Sequence, residues 1–274
     1  MRVITVNVNG IRAAARRGMV PWLQQAQPDV LTLQEVRADD VELGKVLAEA
    51  GLAHWSVAHT EGGAKGRAGV AVVTREPHVA VRVGPDGLFA DDGRWVEADV
   101  ETAAGPLTVV SAYVHTGEAD TDRQVVKYDF LDAVTRRLER AAAAGDAMVV
   151  TGDLNIAHRE ADLKNWKGNL GKSGFLADER AYLDRWFEDD AWVDVLRRHV
   201  GDVAGPYSWW SWRGKAFDND AGWRIDYQLA SRRLAAAARH AYVGRAATYA
   251  ERWSDHAPVV VDYDLTALDG AATA

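Results

Sequence analysis

An acid and an amide stand two residues apart, directly after an apolar stretch of the chain. Residues 147–150 are small or apolar with no polar alternation, which is typical of a short strand buried on both faces. Asp153 and Asn155 follow, and on an extended backbone residues two apart point to the same side. A carboxylate and a carboxamide aimed together from a strand end suit a hard metal ion or a phosphoryl group. An ordinary Asp/Asn turn explains this stretch alone equally well.

Polar side chains end four of the predicted strands. In each half of the chain two of these strands flank a helix, an order that favours parallel pairing through a crossover connection. This duplicated layout predicts two similar sheets packed face to face, with the helices outside. The predicted strand–helix–strand units are residues 3–9, 11–27 and 31–35 in the first half and 107–113, 121–144 and 149–155 in the second, and the polar residues are Asn7, Glu35, Tyr113 and Asp153.

Hydrophobic periodicity, with turn and capping signals, predicts further elements along the chain. No linker, low-complexity segment or composition shift divides the sequence, so we predict one domain over residues 1–268 and a frayed tail over 269–274. The further predicted helices are residues 39–50, 178–187 and 193–200, and the further predicted strands are residues 54–59, 69–74, 79–83, 94–100 and 259–261.

Composition restricts the class of protein. The 274 residues are 48% hydrophobic and 26% charged, as in an ordinary globular protein, and no apolar run approaches the length of a membrane span. The absence of cysteine excludes disulfides and thiolate metal sites, and it fits a reducing compartment, so we expect a cytoplasmic protein. The formal net charge of −8 means that any surface binding nucleic acid must be a local basic patch.

Six short motifs, taken together and in order, resemble the exonuclease III family of Mg²⁺-dependent abasic-site endonucleases. Each motif alone has an ordinary explanation, such as a turn, a solvated strand end or a Ser/Asp turn before a strand. The motifs extend from the first predicted strand to the last, so the resemblance covers nearly the whole chain. They are Asn7-Val8-Asn9-Gly10-Ile11-Arg12, Leu33-Gln34-Glu35, Ala112-Tyr113, Gly152-Asp153-Leu154-Asn155-Ile156-Ala157, Gly222-Trp223-Arg224-Ile225-Asp226-Tyr227 and Ser254-Asp255-His256-Ala257-Pro258.

The resemblance implies a fold, a reaction and a substrate. The fold would be a four-layer α-β-β-α sandwich of two mixed sheets with helices outside. The reaction would be hydrolysis of duplex DNA 5′ to abasic sites, accompanied by 3′→5′ exonuclease and 3′-end-cleaning activity. The substrates would be double-stranded DNA with abasic sites or with recessed or blocked 3′ ends, bound by a monomer.

The resemblance also implies a metal site and a set of catalytic side chains. Glu35, with Asn7 and Asp255, would bind Mg²⁺, and Mn²⁺ would substitute for it. A second metal position would involve Asp153, Asn155 and His256. Asp153 would orient or deprotonate the attacking water, and Asn155 would donate to a phosphate oxygen. His256 would do the same as a cation oriented by Asp226. Tyr113 would act on the phosphate either as a phenol or as a phenolate.

Basic and aromatic residues are candidates for contact with DNA. Trp209 and Trp223 would form the walls of an abasic-sugar pocket, with Trp212 as a neighbour, although core packing is the usual fate of tryptophan. Arg213 stands where some relatives insert an apolar wedge into the duplex, and the segment 115–122 after Tyr113 is acidic. The local basic surface would comprise Lys164 and Lys167 of a lysine-containing loop, together with Asn9, Arg12 and Arg224. The alternative for this loop is that its lysines are only solvated and bind no DNA.

Other functions are compatible with the same predicted fold, and they include both enzymes and a non-enzymatic binding module. The same sandwich supports deoxyribonuclease I-like, sphingomyelinase-like and inositol-phosphatase-like enzymes, so the fold alone does not decide the function. A phospholipid enzyme needs an apolar or amphipathic segment facing the membrane, and the sequence has none. A catalytically inactive DNA-binding module would not need several acid and amide groups directed at one edge.

Overall fold

The computed structural model describes residues 1–64 and 66–266, so the predicted tail over 269–274 lies outside the described residues. Within the described part, two six-stranded sheets pack together, one with the strand order β11-β12-β1-β2-β4-β3 and the other β5-β6-β7-β8-β10-β9. The strands are β1 (Arg2–Asn7), β2 (Val30–Gln34), β3 (Ser56–Thr60), β4 (Val70–Thr74), β5 (His78–Val83), β6 (Trp95–Thr102), β7 (Gly105–Tyr113), β8 (Met148–Asp153), β9 (Trp192–Asp194), β10 (Asp226–Ser231), β11 (Ala238–Val243) and β12 (Val259–Tyr263).

Helices accompany both sheets. Each pair of strands that the sequence predicted to be parallel is parallel, β1 with β2 and β7 with β8, and every other strand pair is antiparallel. The predicted α/β sandwich of two mixed sheets is therefore confirmed. The α-helices of the described part are α1 (Ile11–Arg16), α2 (Met19–Ala26), α3 (Asp40–Glu49), α4 (Asp122–Ala144), α5 (Ala177–Phe187), α6 (Val195–Val200) and α7 (Arg232–Ala236).

The space between the sheets is mostly apolar but contains a polar row near the end that carries the site. The hydroxyl groups of Thr32 and Thr151, one from each sheet, lie 2.6 Å apart, and the amide of Gln34 donates to Ser111 at 2.9 Å. Gln228 donates to the carbonyl of Val3 at 3.0 Å. Buried polar groups are costly unless they are paired, so these bonds fix the register of one sheet on the other.

Two predicted helices are divided differently in the structure. The predicted helix over 11–27 is two helices, because the chain between them passes through Gly18, whose φ of 109° is left-handed. The predicted helix over 193–200 begins as β9, which pairs with β10, and Asp194 then caps α6 by accepting from the Arg197 N–H. The structure also adds β11 and α7, whose alanine-rich sequence lacks a strong period.

Asp162 lies in a buried network of ion pairs. It accepts from Arg224 at 2.7 Å and pairs with Arg197, while Arg224 also pairs with Asp194 at 2.7 Å. All four side chains are buried, and Arg224 is 0% exposed. The prediction that Arg224 belongs to a basic DNA-binding surface is therefore wrong, because its guanidinium lies between two carboxylates inside the protein.

An Asp162→Asn variant should lose stability in a pH-dependent way. Burial disfavours the Asp162 carboxylate, but Arg224 and Arg197 outweigh burial and lower its pKa to about 2 from an ordinary 3.8. The charged form therefore stabilises the fold above the ordinary pKa, and this contribution is lost as the pH falls from 3.8 towards 2. We expect the substitution to lower the free energy of unfolding at pH 7 by about 3–5 kcal/mol in denaturant titrations.

The control for this prediction is Asp264→Asn, which removes an exposed partner of Arg239. Solvent screens an exposed pair, which contributes little to stability, so this variant should be nearly as stable as the wild type. Equal losses in the two variants, or an Asp162→Asn protein with wild-type stability at pH 7, would contradict the account of the network.

No helix in the described ranges is long and apolar enough to cross a membrane.

Candidate active site

Three acidic or phenolic side chains lie side by side at one edge of the second sheet. In the register of the strands Tyr113 is opposite Asp153, and Asp153 is opposite Asp226. Gly152 precedes Asp153 with φ 127°, and a Cβ there would lie 2.1 Å from the carbonyl oxygen of Ala112. Only glycine fits at that position, so the glycine in the Gly-Asp-Leu-Asn motif allows the strand to deliver Asp153 to the edge.

The turns that follow the strands place polar residues in left-handed backbone conformations. Asn9, Glu35 and Asn155 have φ values of 46°, 51° and 51°. Such values are uncommon for residues other than glycine, and they are tolerated where the surrounding structure fixes them, often at functional sites. All three side chains line the same cavity, so the unusual turns direct them into it.

Asn7 joins the two sheets at the base of the site. Its amide nitrogen donates to Glu35 Oε1 at 2.7 Å and to Asp153 Oδ2 at 2.9 Å, and its amide oxygen accepts from the Asn9 N–H at 3.0 Å. In this orientation the Asn7 nitrogen presents a donor to both carboxylates, while its oxygen, the atom predicted to bind a metal, accepts from the backbone of Asn9. Arg37 pairs with the other oxygen of Glu35.

Two carboxylates, Glu35 after β2 and Asp153 at the end of β8, lie close enough to share a metal ion, and His256, just before β12 of the first sheet, lies beside them. One ligand atom from each of Glu35, Asp153 and His256 lies within 4.8 Å of the others, and all three residues are buried. The predicted partner Asp255 is not in this group. Its oxygens accept from Asn9 at 2.9 Å and from the indole N–H of Trp209 at 3.2 Å, at the wall of the same cavity. Few protein oxygens with room for water suit Mg²⁺.

His256 is held as a cation between carboxylates. Its Nδ1 lies 2.9 Å from Asp226 Oδ2, and its Nε2 lies 3.8 Å from Asp153 Oδ2. Burial disfavours the imidazolium, but the charges of Asp226 and Asp153 outweigh burial and raise the pKa of His256 to about 10. The ring is therefore protonated at neutral pH and can donate toward the cavity.

Burial has the opposite consequence for Asp153. It raises the pKa of this carboxyl to about 7, helped by the nearby charge of Asp226 and opposed by that of His256. A carboxylate with a pKa near neutrality can accept a proton at the pH at which it works. The backbone N–H of Asn155 donates to Asp153 Oδ1 at 2.9 Å and orients the group.

Tyr113 faces the cavity as a phenol. Burial, with the charges of Glu35 and Asp153, raises the pKa of its hydroxyl above the ordinary value. The guanidinium of Arg94 lies 4.6 Å from the centre of the ring and fixes its position. Of the two states considered for Tyr113, the structure therefore favours the phenol, which can donate a hydrogen bond.

These groups line a cavity of about 380 Å³ whose wall is aromatic. Trp209 and Trp223 meet edge to face with ring centroids 6.3 Å apart, and Ile225 lies beside them. Trp212, named as a possible neighbour, lies outside this wall. It packs on Tyr249 and lies between the guanidinium groups of Arg17 and Arg252, at 5.0 and 4.3 Å.

The remaining candidates for DNA contact lie at the surface. Lys164, Lys167 and Arg213 are exposed, and Arg12 is exposed beside a neighbouring cavity. Arg37 and Arg94 were not predicted as site residues, although Arg37 stands two residues after Glu35, the spacing that placed Asn155 with Asp153. Arg94 directly precedes β6, and its carbonyl oxygen accepts from the Tyr113 N–H at 2.8 Å, a contact that no short motif reveals.

Comparison with known proteins identifies the family. The model of the endonuclease/exonuclease/phosphatase family matches residues 4–256. The chain therefore belongs to the endonuclease/exonuclease/phosphatase family. It is 31% identical over 273 residues to exodeoxyribonuclease III of Haemophilus influenzae, covering 96% of this chain and all of that protein.

Solved structures of nucleases are similar to this chain over nearly its whole length. An AP endonuclease from Archaeoglobus fulgidus is similar with a TM-score of 0.84 and 27% identity, covering 96% of this chain and 99% of that one. A 3′-5′ exonuclease from Neisseria meningitidis is similar with a TM-score of 0.81 and 30% identity, covering 96% and 100%. The predicted resemblance and the predicted enzyme class, a phosphodiester hydrolase acting in DNA repair, are confirmed by these relatives.

Proposed function

We propose that this protein is a Mg²⁺-dependent nuclease that cuts duplex DNA 5′ to abasic sites and also removes nucleotides and blocking groups from 3′ ends. The observation that carries the proposal is the position of Asp153, Glu35 and His256, three buried charged groups at the base of a narrow aromatic cavity. The relatives support it, since they include an exodeoxyribonuclease III, an AP endonuclease and a 3′-5′ exonuclease.

The residues at the base of the cavity would hold the metal and the attacking water. Glu35 is the principal candidate ligand, with Asp153 or Asp255 as the second carboxylate. When bound, Mg²⁺ would supply positive charge to the phosphate oxygens, and Mn²⁺ would substitute. Asp153, with its raised pKa, would take a proton from the attacking water.

Donors beside Asp153 would stabilise the charge that develops on the phosphate. The protonated ring of His256 and the phenol of Tyr113 both face the cavity, and the amide of Asn155 lines it. Hydrogen-bond donors fixed before the reaction stabilise a developing charge strongly, because they need no reorganisation. Asp226 would keep His256 charged and oriented through the 2.9 Å contact with Nδ1.

The aromatic wall would select the substrate. A deoxyribose without a base is small and leaves the helix without breaking a base pair, so a tight pocket can admit it and exclude a nucleotide. The rings of Trp209 and Trp223 wall the cavity beside the catalytic groups, so a group that enters next to the reacting phosphate must fit against them. This limit on size supports preference for abasic DNA.

A Trp209→Ala variant should lose this preference while its cleavage chemistry remains. An aromatic contact with a nucleic acid contributes about 1–3 kcal/mol, so the ratio of cleavage rates on abasic and intact duplex should fall about 10- to 100-fold. Rates on the two duplexes measured side by side give the ratio. Trp212→Ala is the control, since Trp212 lies outside the cavity wall. An unchanged ratio in Trp209→Ala would show that this wall does not select the substrate.

Arg213 supports an additional activity at 3′ ends. The resemblance described above implies an apolar wedge at the position where this chain has an exposed arginine, and the loop after Tyr113 contributes acidic residues such as Glu118 and Asp120. Both features would weaken binding to an internal abasic site, so a 3′ end of the DNA should compete with it as a substrate. We propose that the enzyme digests recessed 3′ ends at low salt, and a labelled duplex with one recessed end tests this directly.

The lysine-containing loop is proposed as part of the DNA-binding surface. Each phosphate contact releases counterions, so a Lys164/Lys167 double alanine variant should reduce the log–log slope of affinity against salt by about two. The slope comes from binding titrations at several salt concentrations. Arg75→Ala is the control, because β4 carries Arg75 to the sheet edge opposite Glu35. Equal slopes of affinity against salt for the wild type and the double variant would mean that the loop is only solvated and contacts no phosphate.

We propose that the enzyme acts as a monomer in the cytoplasm. Every residue of the candidate site comes from one chain, so a second copy is not needed to complete it. The absence of cysteine fits a reducing compartment.

A further inference from the structure

A lysine with no exposed surface lies behind the candidate site. Lys127 belongs to α4, and its ammonium donates to the carbonyl oxygen of Asn155 at 2.9 Å and to that of Thr116 at 3.3 Å. It also pairs with Glu179 of α5 at 2.6 Å, and both side chains are 0% exposed. The lysine thus connects the segment that follows β7 with the segment that follows β8, the two strands that end in Tyr113 and Asp153.

Glu179 extends these contacts to the wall of the cavity. Its Oε1 accepts from Gln124 at 2.9 Å and from the Ser173 hydroxyl at 3.1 Å, and its Oε2 accepts from the Leu176 N–H at 3.0 Å. Ser173 lines the cavity and lies 2.7 Å from the Thr116 carbonyl oxygen. One buried ion pair therefore holds three segments that surround the site.

A buried ion pair is a poor way to gain stability. The cost of removing both charges from water is large, and well-packed apolar side chains often serve as well or better. Asn155 also has a left-handed backbone, which persists only where neighbouring groups fix it. The ammonium bound to its carbonyl oxygen is such a group. These observations favour a role in geometry over a role in stability.

We infer that the Lys127–Glu179 pair positions Asn155 and the Thr116 segment for phosphodiester cleavage. The inference rests on the proposed function, because Asn155 is proposed to donate to the scissile phosphate. Lys127 contacts the backbone of Asn155 and not the substrate, so it is a positioning residue. Partners that orient reacting groups in this way typically change activity by about 10- to 100-fold when removed.

The same helix offers a matched control. Arg137 of α4 binds Glu97 through two hydrogen bonds of 2.8 and 3.0 Å, and Glu97 is 1% exposed. The Arg137 side chain is 12% exposed, and Glu97 keeps Arg82 as a second cationic partner when Arg137 is removed. Like Lys127, Arg137 is a cation of α4 paired with a buried glutamate, but it contacts none of the site residues named above. Arg137→Met therefore removes a cation of α4 from a buried glutamate without the loss of a contact to Asn155.

The test compares Lys127→Met, Glu179→Gln and Arg137→Met in single-turnover cleavage of a duplex with one tetrahydrofuran abasic analogue, with enzyme in excess and Mg²⁺ present. This rate constant reports the geometry of the folded molecules and does not depend on how many are folded. We expect Lys127→Met to reduce it about 10- to 100-fold, with a dissociation constant for the same duplex in EDTA that is unchanged. Glu179→Gln should reduce it less, and Arg137→Met should leave it at the wild-type value.

Two results would overturn the inference: a wild-type rate constant in Lys127→Met, or equal losses in Lys127→Met and Arg137→Met. If Lys127→Met does not fold, Glu179→Gln, which keeps the size of the side chain, takes its place. A wild-type rate constant in Glu179→Gln, or a loss equal to that in Arg137→Met, would then overturn the inference. A wild-type protein that does not cut the abasic duplex at all would instead contradict the proposed function.

Discussion

An Asp153→Asn variant is expected to cleave DNA about 10²- to 10⁴-fold more slowly than the wild type, because a positioned base typically contributes that much. The amide keeps the shape of the carboxylate but cannot take a proton from water. Asp153 is 1% exposed and receives hydrogen bonds from Asn7 and from the Asn155 N–H, so its orientation is already fixed. Turnover on a duplex with one abasic analogue measures the loss.

The matched control is Asp146→Asn, an exposed aspartate in the turn before β8. It should leave turnover unchanged. Binding of the Asp153→Asn protein to DNA should be retained or tightened, since a negative charge near the phosphate is removed. An Asp153→Asn enzyme with near-wild-type turnover would require a different base.

A Glu35→Gln variant is expected to lose about 10³-fold in turnover, since a bound metal ion supplies several kcal/mol of charge stabilisation. Glu35 belongs to the metal site predicted from the sequence, with Asn7 and Asp255. It also belongs to the group found in the structure, with Asp153 and His256. Affinity for DNA in EDTA should be close to that of the wild type, while a higher concentration of Mg²⁺ or Mn²⁺ should be needed for the remaining activity. The measurement is turnover over a range of metal concentrations.

Glu160→Gln provides the control for an exposed glutamate, and it should show wild-type metal dependence. Full turnover of Glu35→Gln at ordinary Mg²⁺ concentration would exclude Glu35 as the principal ligand. Full activity of the wild type in excess EDTA would exclude a metal requirement altogether.

The centre of the candidate site could be predicted because strands impose a simple geometry. Glu35 follows β2 and Asp153 ends β8, and each of these buried strands pairs in parallel with an earlier strand, so their carboxyl ends lie at one edge of the sheet. Packing the two sheets face to face then brings both edges together, and Asn7 donates across the junction. The pairing of His256 with Asp226 is also present in the structure.

Side chains on loops could not be placed in the same way. Arg224 follows Trp223 in a motif, but its partner Asp162 is 62 residues distant, and only the folded chain shows that the guanidinium is buried. Trp209 and Trp223 line the cavity, whereas Trp212 packs on Tyr249 outside it. The sequence could not separate them, because the direction of a loop side chain follows no period. Asp255 was grouped with Glu35 but is held at the cavity wall by Asn9 and Trp209.

The most direct measurement uses an end-labelled duplex with one tetrahydrofuran abasic analogue and an intact duplex of the same sequence, each incubated with Mg²⁺ and with EDTA. The proposed function predicts one product that ends in a 3′ hydroxyl immediately 5′ to the analogue, formed only in Mg²⁺, with much slower shortening of the intact duplex from its 3′ ends. Cleavage that ignores the analogue, or that continues at the same rate in EDTA, would contradict the proposal.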